Sequence, residues 1–336
     1  MKKIFGLTLL IFTLSVQIVF AKAELIEASG SYVMDLKVDE TFATGTARAR
    51  EEAKRAATEK AGVYVQSYSK TVNLELDYDE IRTVAAQLIK VQDEKISSKN
   101  LEDGLLEITV TIKALIEDSN EEILKTMMSD KQSLEDATQR YKKLQEEYDA
   151  LKAQMEQLKQ SYNFAGESQR AEIRRSVAQN NEYFEAFLAL EEGNNFYFRK
   201  NYQQAISAYS RAIEINSNFA EAYNNRGNIY AQLQNYQQAM QDLQTAARLS
   251  KVDPRIHNNL GNVYLLQRNY SSAISEYTQA INLNPNLFTA YFNRALAYSY
   301  LGQFQNALPD ARRAMALNPS DNDAKNLYNQ IASRIN

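Results

Sequence analysis

PRIHNNLGNVYLLQRNYSSAISEYTQAINLNPNL, residues 254–287, is followed without a gap by FTAYFNRALAYSYLGQFQNALPDARRAMALNPSD, residues 288–321. Blocks of the same length, 34 residues, begin at Ala186 and Ala220. Gly193, Gly227, Gly261 and Ala295 recur where only a small side chain lets two helices approach. Phe196, Tyr230, Tyr264 and Tyr298 follow three residues later, and Tyr202, Tyr236, Tyr270 and Phe304 fall in a turn. Ala205, Ala239, Ala273 and Ala307, then Ala212, Ala246, Ala280 and Ala314, supply a close-packing second helix. Pro285 and Pro319 end the last two of those helices. A fixed period with two helices per unit predicts a stack in which each repeat packs on its neighbours. Residues 322–336 read as a helix capping the last apolar face.

Those spacings resemble the tetratricopeptide repeat (TPR), over repeats 186–219, 220–253, 254–287 and 288–321 of a domain spanning 183–336. The resemblance implies a concave face lined by the first helix, A, of each repeat, which binds extended peptides or partner helices. It places Asn194, Asn224, Asn225, Asn228, Asn258, Asn259, Asn262 and Asn293 on or near that face. Each amide presents both donor and acceptor, so an asparagine ladder suits a peptide main chain of any sequence. Tyr197, Phe198, Leu265 and Tyr300, one turn along, would provide apolar pockets. The carboxylate clamp of chaperone-binding relatives needs Lys at the fifth position of a repeat; Leu190, Asn224, Asn258 and Phe292 stand there, so that clamp is not formed. The region holds 23 asparagines, so plain solvation of the groove is the alternative. His257, at a position held by Tyr223 and Tyr291 in neighbouring repeats, reads as a core residue.

Upstream, Leu134, Tyr141, Tyr148, Met155 and Tyr162 alternate with Ala137, Leu144, Leu151 and Leu158 at spacings of three and four. This heptad pattern predicts a coiled-coil helix within 118–182. A lone helix cannot bury such a seam. Leu134, Tyr141, Leu144, Tyr148, Leu151, Met155 and Leu158 are therefore expected to pair with a second copy, or to fold back on their own chain.

Residues 24–117 read as a small α+β module of order β-α-β-α-β-β. Tyr32–Val38 alternates as a strand, and Thr41–Ala61 is an Ala-rich helix stopped by Gly62. Val63–Val72 is β-branched and aromatic, Tyr78–Leu88 suits a helix, and Ile89–Ile96 and Leu105–Ile116 suit strands. Asp77, Asp79 and Glu80 read as a helix start rather than a cation site, because no Asp/Asn-rich loop with a closing Glu is present. The run Ala47–Ser67, with Asp79–Ala85, resembles the N-terminal domain of flagellar assembly protein T and of LPP20-type envelope proteins. That resemblance implies an envelope interaction module without an active site.

Met1–Ala23 carries Lys2 and Lys3, an apolar stretch and a small-x-small site at Ala21–Ala23, as a secretory signal does. A retained anchor is the alternative. Removing Lys2, Lys3 and Lys22 takes the formal charge from −4 to −7, and no later block is basic enough to suggest nucleic acid. The absence of cysteine excludes disulfides and thiolate metal sites, and a single histidine excludes multi-His centres. No Gly-rich phosphate loop occurs. No metal or cofactor is implied. The chain therefore reads as an exported, non-catalytic adaptor or scaffold of the periplasm or cell envelope, in envelope or flagellar assembly, with a protein segment in its groove. A cell-division coordinator, a peptidoglycan-acting enzyme and a general chaperone are the alternatives.

Overall fold

The computed structural model describes residues 24–71, 75–116 and 131–335; the expected signal segment lies outside them. The described chain divides into two units at 147/148.

In the first unit, three antiparallel strands, β1 (Glu24–Asp35), β2 (Ile89–Asn100) and β3 (Leu105–Ile116), form a sheet of order β1-β3-β2. Tyr32 lies opposite Ile108 and Ala28 opposite Ile112. This register puts the apolar residues of β1 and β3 on one face, since strand side chains alternate. Helix α1 (Phe42–Thr71) covers that face. Its stripe Ala49, Ala53, Ala57, Ala61 and Val65 is fully buried, one residue every four. Backbone meets backbone there: a Cβ on Gly30 would lie 2.2 Å from the Ala53 nitrogen.

The expected strand at Val63–Val72 is helical from Val63 to Thr71, and Val72 lies outside the described residues. Helix α1 runs through Gly62 to Thr71, so the order is β-α-α-β-β. Val65 continues the four-residue stripe into the core, and that burial outweighs the β-propensity of Val63, Tyr64 and Val65. Helix α2 (Tyr78–Leu88) begins with a capping box: Glu80 N–H donates to Asp77 Oδ1 and Asp77 N–H to Glu80 Oε2, both at 2.8 Å. The acidic cluster is thus a helix start, as expected. β1 begins at Glu24, eight residues before the expected strand.

Helix α3 (Lys131–Phe164) spans the division. Within the first unit Leu134 joins the core of the module, and the Arg82 guanidinium lies 5.8 Å from the Tyr141 ring. Within the second unit the helix packs on α4 (Glu167–Phe198). Tyr148 meets Phe184 at 5.7 Å and Phe187 at 6.5 Å, and Asn180 Nδ2 donates to Leu151 O and to Gln154 Oε1. Tyr162 OH accepts from Arg174 at 2.6 Å. Leu134, Ala137, Leu144, Tyr148, Leu151, Met155 and Tyr162 are buried in the single chain, with Tyr141 and Leu158 half-buried. The apolar seam expected to meet a second copy is covered at home, which removes the hydrophobic drive for association through it.

Eight further helices follow: α5 (Tyr202–Ile215), α6 (Ala220–Gln232), α7 (Tyr236–Leu249), α8 (Pro254–Leu266), α9 (Tyr270–Leu283), α10 (Phe288–Tyr300), α11 (Phe304–Leu317) and α12 (Asn322–Ile335). The end of α4 with α5, then α6–α7, α8–α9 and α10–α11, are the four repeats, and α12 buries Ala324, Leu327 and Ile331 at the end of the stack. Among the described residues, no helix is long and apolar enough to cross a membrane.

Candidate functional site

Neighbouring A helices touch, α6 with α8 and α8 with α10, and among the described residues no pair of second (B) helices does so to the same extent. The stack therefore curves towards its A side, where the asparagines lie. They are hydrogen-bonded to one another. Asn225 Nδ2 donates to Asn194 Oδ1 at 3.0 Å, Asn224 Nδ2 to Asn225 Oδ1 at 3.1 Å, and Asn259 Nδ2 to Asn224 Oδ1 at 3.0 Å. One chain of amides thus crosses the first three repeats. A second link joins the last two, Asn293 Nδ2 donating to Asn262 Oδ1 at 3.0 Å. Asn228 stands apart, its Nδ2 3.4 Å from Tyr197 OH, an oxygen that also accepts from Gln232 Nε2 at 2.9 Å. Asn258 is not joined to the ladder: its Oδ1 is buried and unpartnered.

Of the expected apolar positions, Tyr197, Phe198 and Leu265 are half-buried and Tyr300 is 57% exposed. Tyr300 stacks on Tyr270 at 5.0 Å, and Tyr197 meets Phe198 edge-on at 6.0 Å. The fifth, sixth and ninth positions of the four A helices carry one charged residue, Glu191. Arg255 bridges Asp253 at 2.7 Å and Glu221 at 3.6 Å. Burial opposes the Arg255 charge, but its hydrogen bond to Asp253 and the charge of Glu221 outweigh burial and raise its pKa.

Sequence reasoning missed two sets of residues. The first is Tyr209 and Tyr277, buried on the B helices, whose hydroxyls donate to Asn194 Oδ1 at 2.7 Å and Asn262 Oδ1 at 2.8 Å. Their rings require the glycines opposite: a Cβ on Gly193 would lie 2.4 Å from Tyr209 Cε1, and one on Gly261 2.5 Å from Tyr277 Cε1. The second is a pair of guanidinium clamps. Arg226 makes a two-pronged bond to Asp242 at 2.7 and 2.9 Å and reaches Ser210 Oγ at 2.8 Å. Arg294 does the same with Asp310 at 2.7 and 2.8 Å and with Thr278 Oγ1 at 2.9 Å. The hydrogen bond to Asp242 raises the Arg226 pKa; for Arg294, burial opposes the charge and the bond to Asp310 prevails. The tyrosine, arginine and aspartate recur 68 residues on, with Thr278 supplying the hydroxyl of Ser210, a two-repeat period inside the 34-residue one. That longer period was the available signal.

His257 is not a core residue. Its Nδ1 lies 2.8 Å from Glu276 Oε2, beside a hollow lined also by Met240, Gln241 and Arg248. Among the described residues no cluster of His, Cys, Asp and Glu could hold a metal ion.

A family model described as "TPR repeat" matches residues 193–234 and 227–268, and one described as "Tetratricopeptide repeat" matches 254–287 and 288–321. Residues 193–321 are tetratricopeptide repeats. The last two matches coincide with the repeats read from the sequence. Solved structures match over part of the chain. PilF of Pseudomonas aeruginosa is 17% identical over 46% of this chain and 70% of its own, with a TM-score of 0.44. YrrB, described as a TPR protein with an unusual peptide-binding site, is 22% identical over 47% and 81%, with a TM-score of 0.39. The second TPR domain of human RPAP3, solved with an HSP70 peptide, is 24% identical over 33% and 92%, with a TM-score of 0.32. No curated protein matches the sequence. The family-model matches lie in the TPR region, and the resemblance of residues 24–117 to flagellar assembly protein T rests on the sequence run alone.

Proposed function

We propose that this protein is a non-catalytic adaptor or scaffold that captures a segment of another protein on the A face of its TPR domain. One observation carries this reading: the asparagine ladder leaves amide donors and acceptors unpaired on a face with few charges and several aromatic rings. Such a face suits a polypeptide main chain better than a charged tail, since Lys is missing from the fifth positions. Peptide binding is what TPR domains do, as the RPAP3 complex illustrates for that protein.

The finer reading places the adaptor outside the cytoplasm, in cell-envelope or flagellar assembly. Its support is the signal-like Met1–Ala23 and the run Ala47–Ser67. Self-association through Leu134–Leu158 would require α3 to leave the contacts that now bury it, so the adaptor is proposed to work with that seam closed.

The test is crosslinked affinity capture from the native cell envelope by residues 24–336, beside the Asn228→Ala/Asn262→Ala variant. Prey lost from a variant with unchanged circular dichroism supports groove capture. Prey held equally by both moves the binding role to residues 24–117.

A further inference from the structure

The two-repeat period places one constellation at two stations: Asn194, Tyr209 and Asn225, then Asn262, Tyr277 and Asn293. At each, the asparagine Oδ1 already accepts two donors, a tyrosine hydroxyl and a neighbouring amide. A carbonyl oxygen has two lone pairs, so both are engaged and the free side of the group is its Nδ2. The tyrosines therefore settle which way the amides face. Tyr277 is fully buried and burial raises its pKa, so the phenol keeps its proton and remains a donor.

Between the stations the polarity reverses. Asn228 turns its Nδ2 towards Tyr197 OH and leaves Oδ1 unpartnered. In the repeat of Asn228 the B-helix position of the two tyrosines holds Leu243, and in the fourth repeat Ala311; both are buried. An apolar side chain thus serves the packing at that position. A buried hydroxyl costs free energy unless bonded, so its presence in alternate repeats marks a role beyond packing. Along the groove the ninth positions read donor, acceptor, donor. An extended main chain offers carbonyl and N–H groups in alternation along each edge.

Resting on the groove reading above, we infer that Asn194 and Asn262 are two equivalent donor stations for main-chain carbonyls of one extended, uncharged polypeptide segment, and that Tyr209 and Tyr277 are the residues that position them. A carboxylate ligand fits poorly, because the acceptor of Asn228 stands between the donors. A glycan, whose hydroxyls both donate and accept, is the competing chemistry.

The probe is a fluorescein-labelled twelve-residue peptide of Ser, Thr and Val, read by anisotropy against residues 24–336, with a scrambled peptide and a chito-oligosaccharide as second and third probes. Both peptides are expected to bind comparably. Tyr209→Phe/Tyr277→Phe should weaken them about tenfold, one lost neutral hydrogen bond of orientation per station, with circular dichroism unchanged. The Asn194 and Asn262 side-chain amide signals, shifted by peptide in the parent, should no longer shift. Weakening by Asn228→Ala/Asn259→Ala but not by the tyrosine pair overturns the stations and leaves the groove reading standing. Peptide binding untouched by every groove variant overturns both. Saturation by the oligosaccharide alone, or by none of the probes, overturns the main-chain inference.

Discussion

Asp310→Ala strips the Arg294 guanidinium of two of its three hydrogen bonds and leaves only Thr278. The two side chains are 16% and 8% exposed, so the abandoned charge is largely cut off from water. Breaking a buried pair costs about 3–5 kcal/mol, and the residual exposure of Arg294 places this site lower, at about 2–3 kcal/mol. For a unit of this size that lowers Tm by about 4–12 °C. Removing both partners behaves differently. The third repeat carries Leu260 where the fourth carries Arg294, and Leu260 is buried in an apolar cluster. Arg294→Leu/Asp310→Ala should therefore cost less than the single change, about 1 kcal/mol, because no charge is left stranded. Urea melts of residues 24–336 followed by far-UV circular dichroism, with Arg294→Leu completing the double-mutant cycle, give the coupling. A double variant as unstable as the sum of the singles would refute the clamp, as would Asp310→Ala costing under about 0.5 kcal/mol.

Gly261→Ala drives a methyl to 2.5 Å from Tyr277 Cε1 and should cost about 1–3 kcal/mol; adding Tyr277→Ala, the pairing that Ala295 and Ala311 already use, should relieve that clash in thermal melts. Met155→Ala should destabilise by about 2–4 kcal/mol with a Tm independent of protein concentration, because Met155 is fully buried within the chain; a concentration-dependent Tm would show that the seam serves a second copy. The hydrogen bond from Arg50 lowers the Glu94 pKa, so this pair contributes stability that is present above the unfolded-state carboxylate pKa and lost as pH falls through the lowered value. Glu94→Gln should flatten that acid limb, and identical pH–stability curves would remove the pair from the account.

The 34-residue spacing by itself determined the stack of helix pairs, the bounds of its last two repeats and the capping helix; it was the resemblance to the TPR that assigned the asparagines to the A face. Each repeat packs only on its neighbours, so the positions of small and aromatic residues within one repeat specify most of its surroundings. The helix start at Asp77, Asp79 and Glu80 was legible because it is local in sequence, while the reciprocal bonds of its capping box came from the structure. Tertiary structure decided what depends on groups distant in sequence. Val63–Thr71 has the composition of a strand, and it is helical because Val65 extends a buried stripe whose receiving surface, β1 and β3, lies elsewhere in the chain. The heptads announced a seam without naming its cover; Phe184, Phe187 and Asn180 supply that cover for the second half of α3. A list of asparagines shows amides but not their orientation. The free edge of Asn194 or Asn262 is set by a hydroxyl fifteen residues away on another helix, and hydrogen-bond direction, unlike helical period, is a property of neighbours in space.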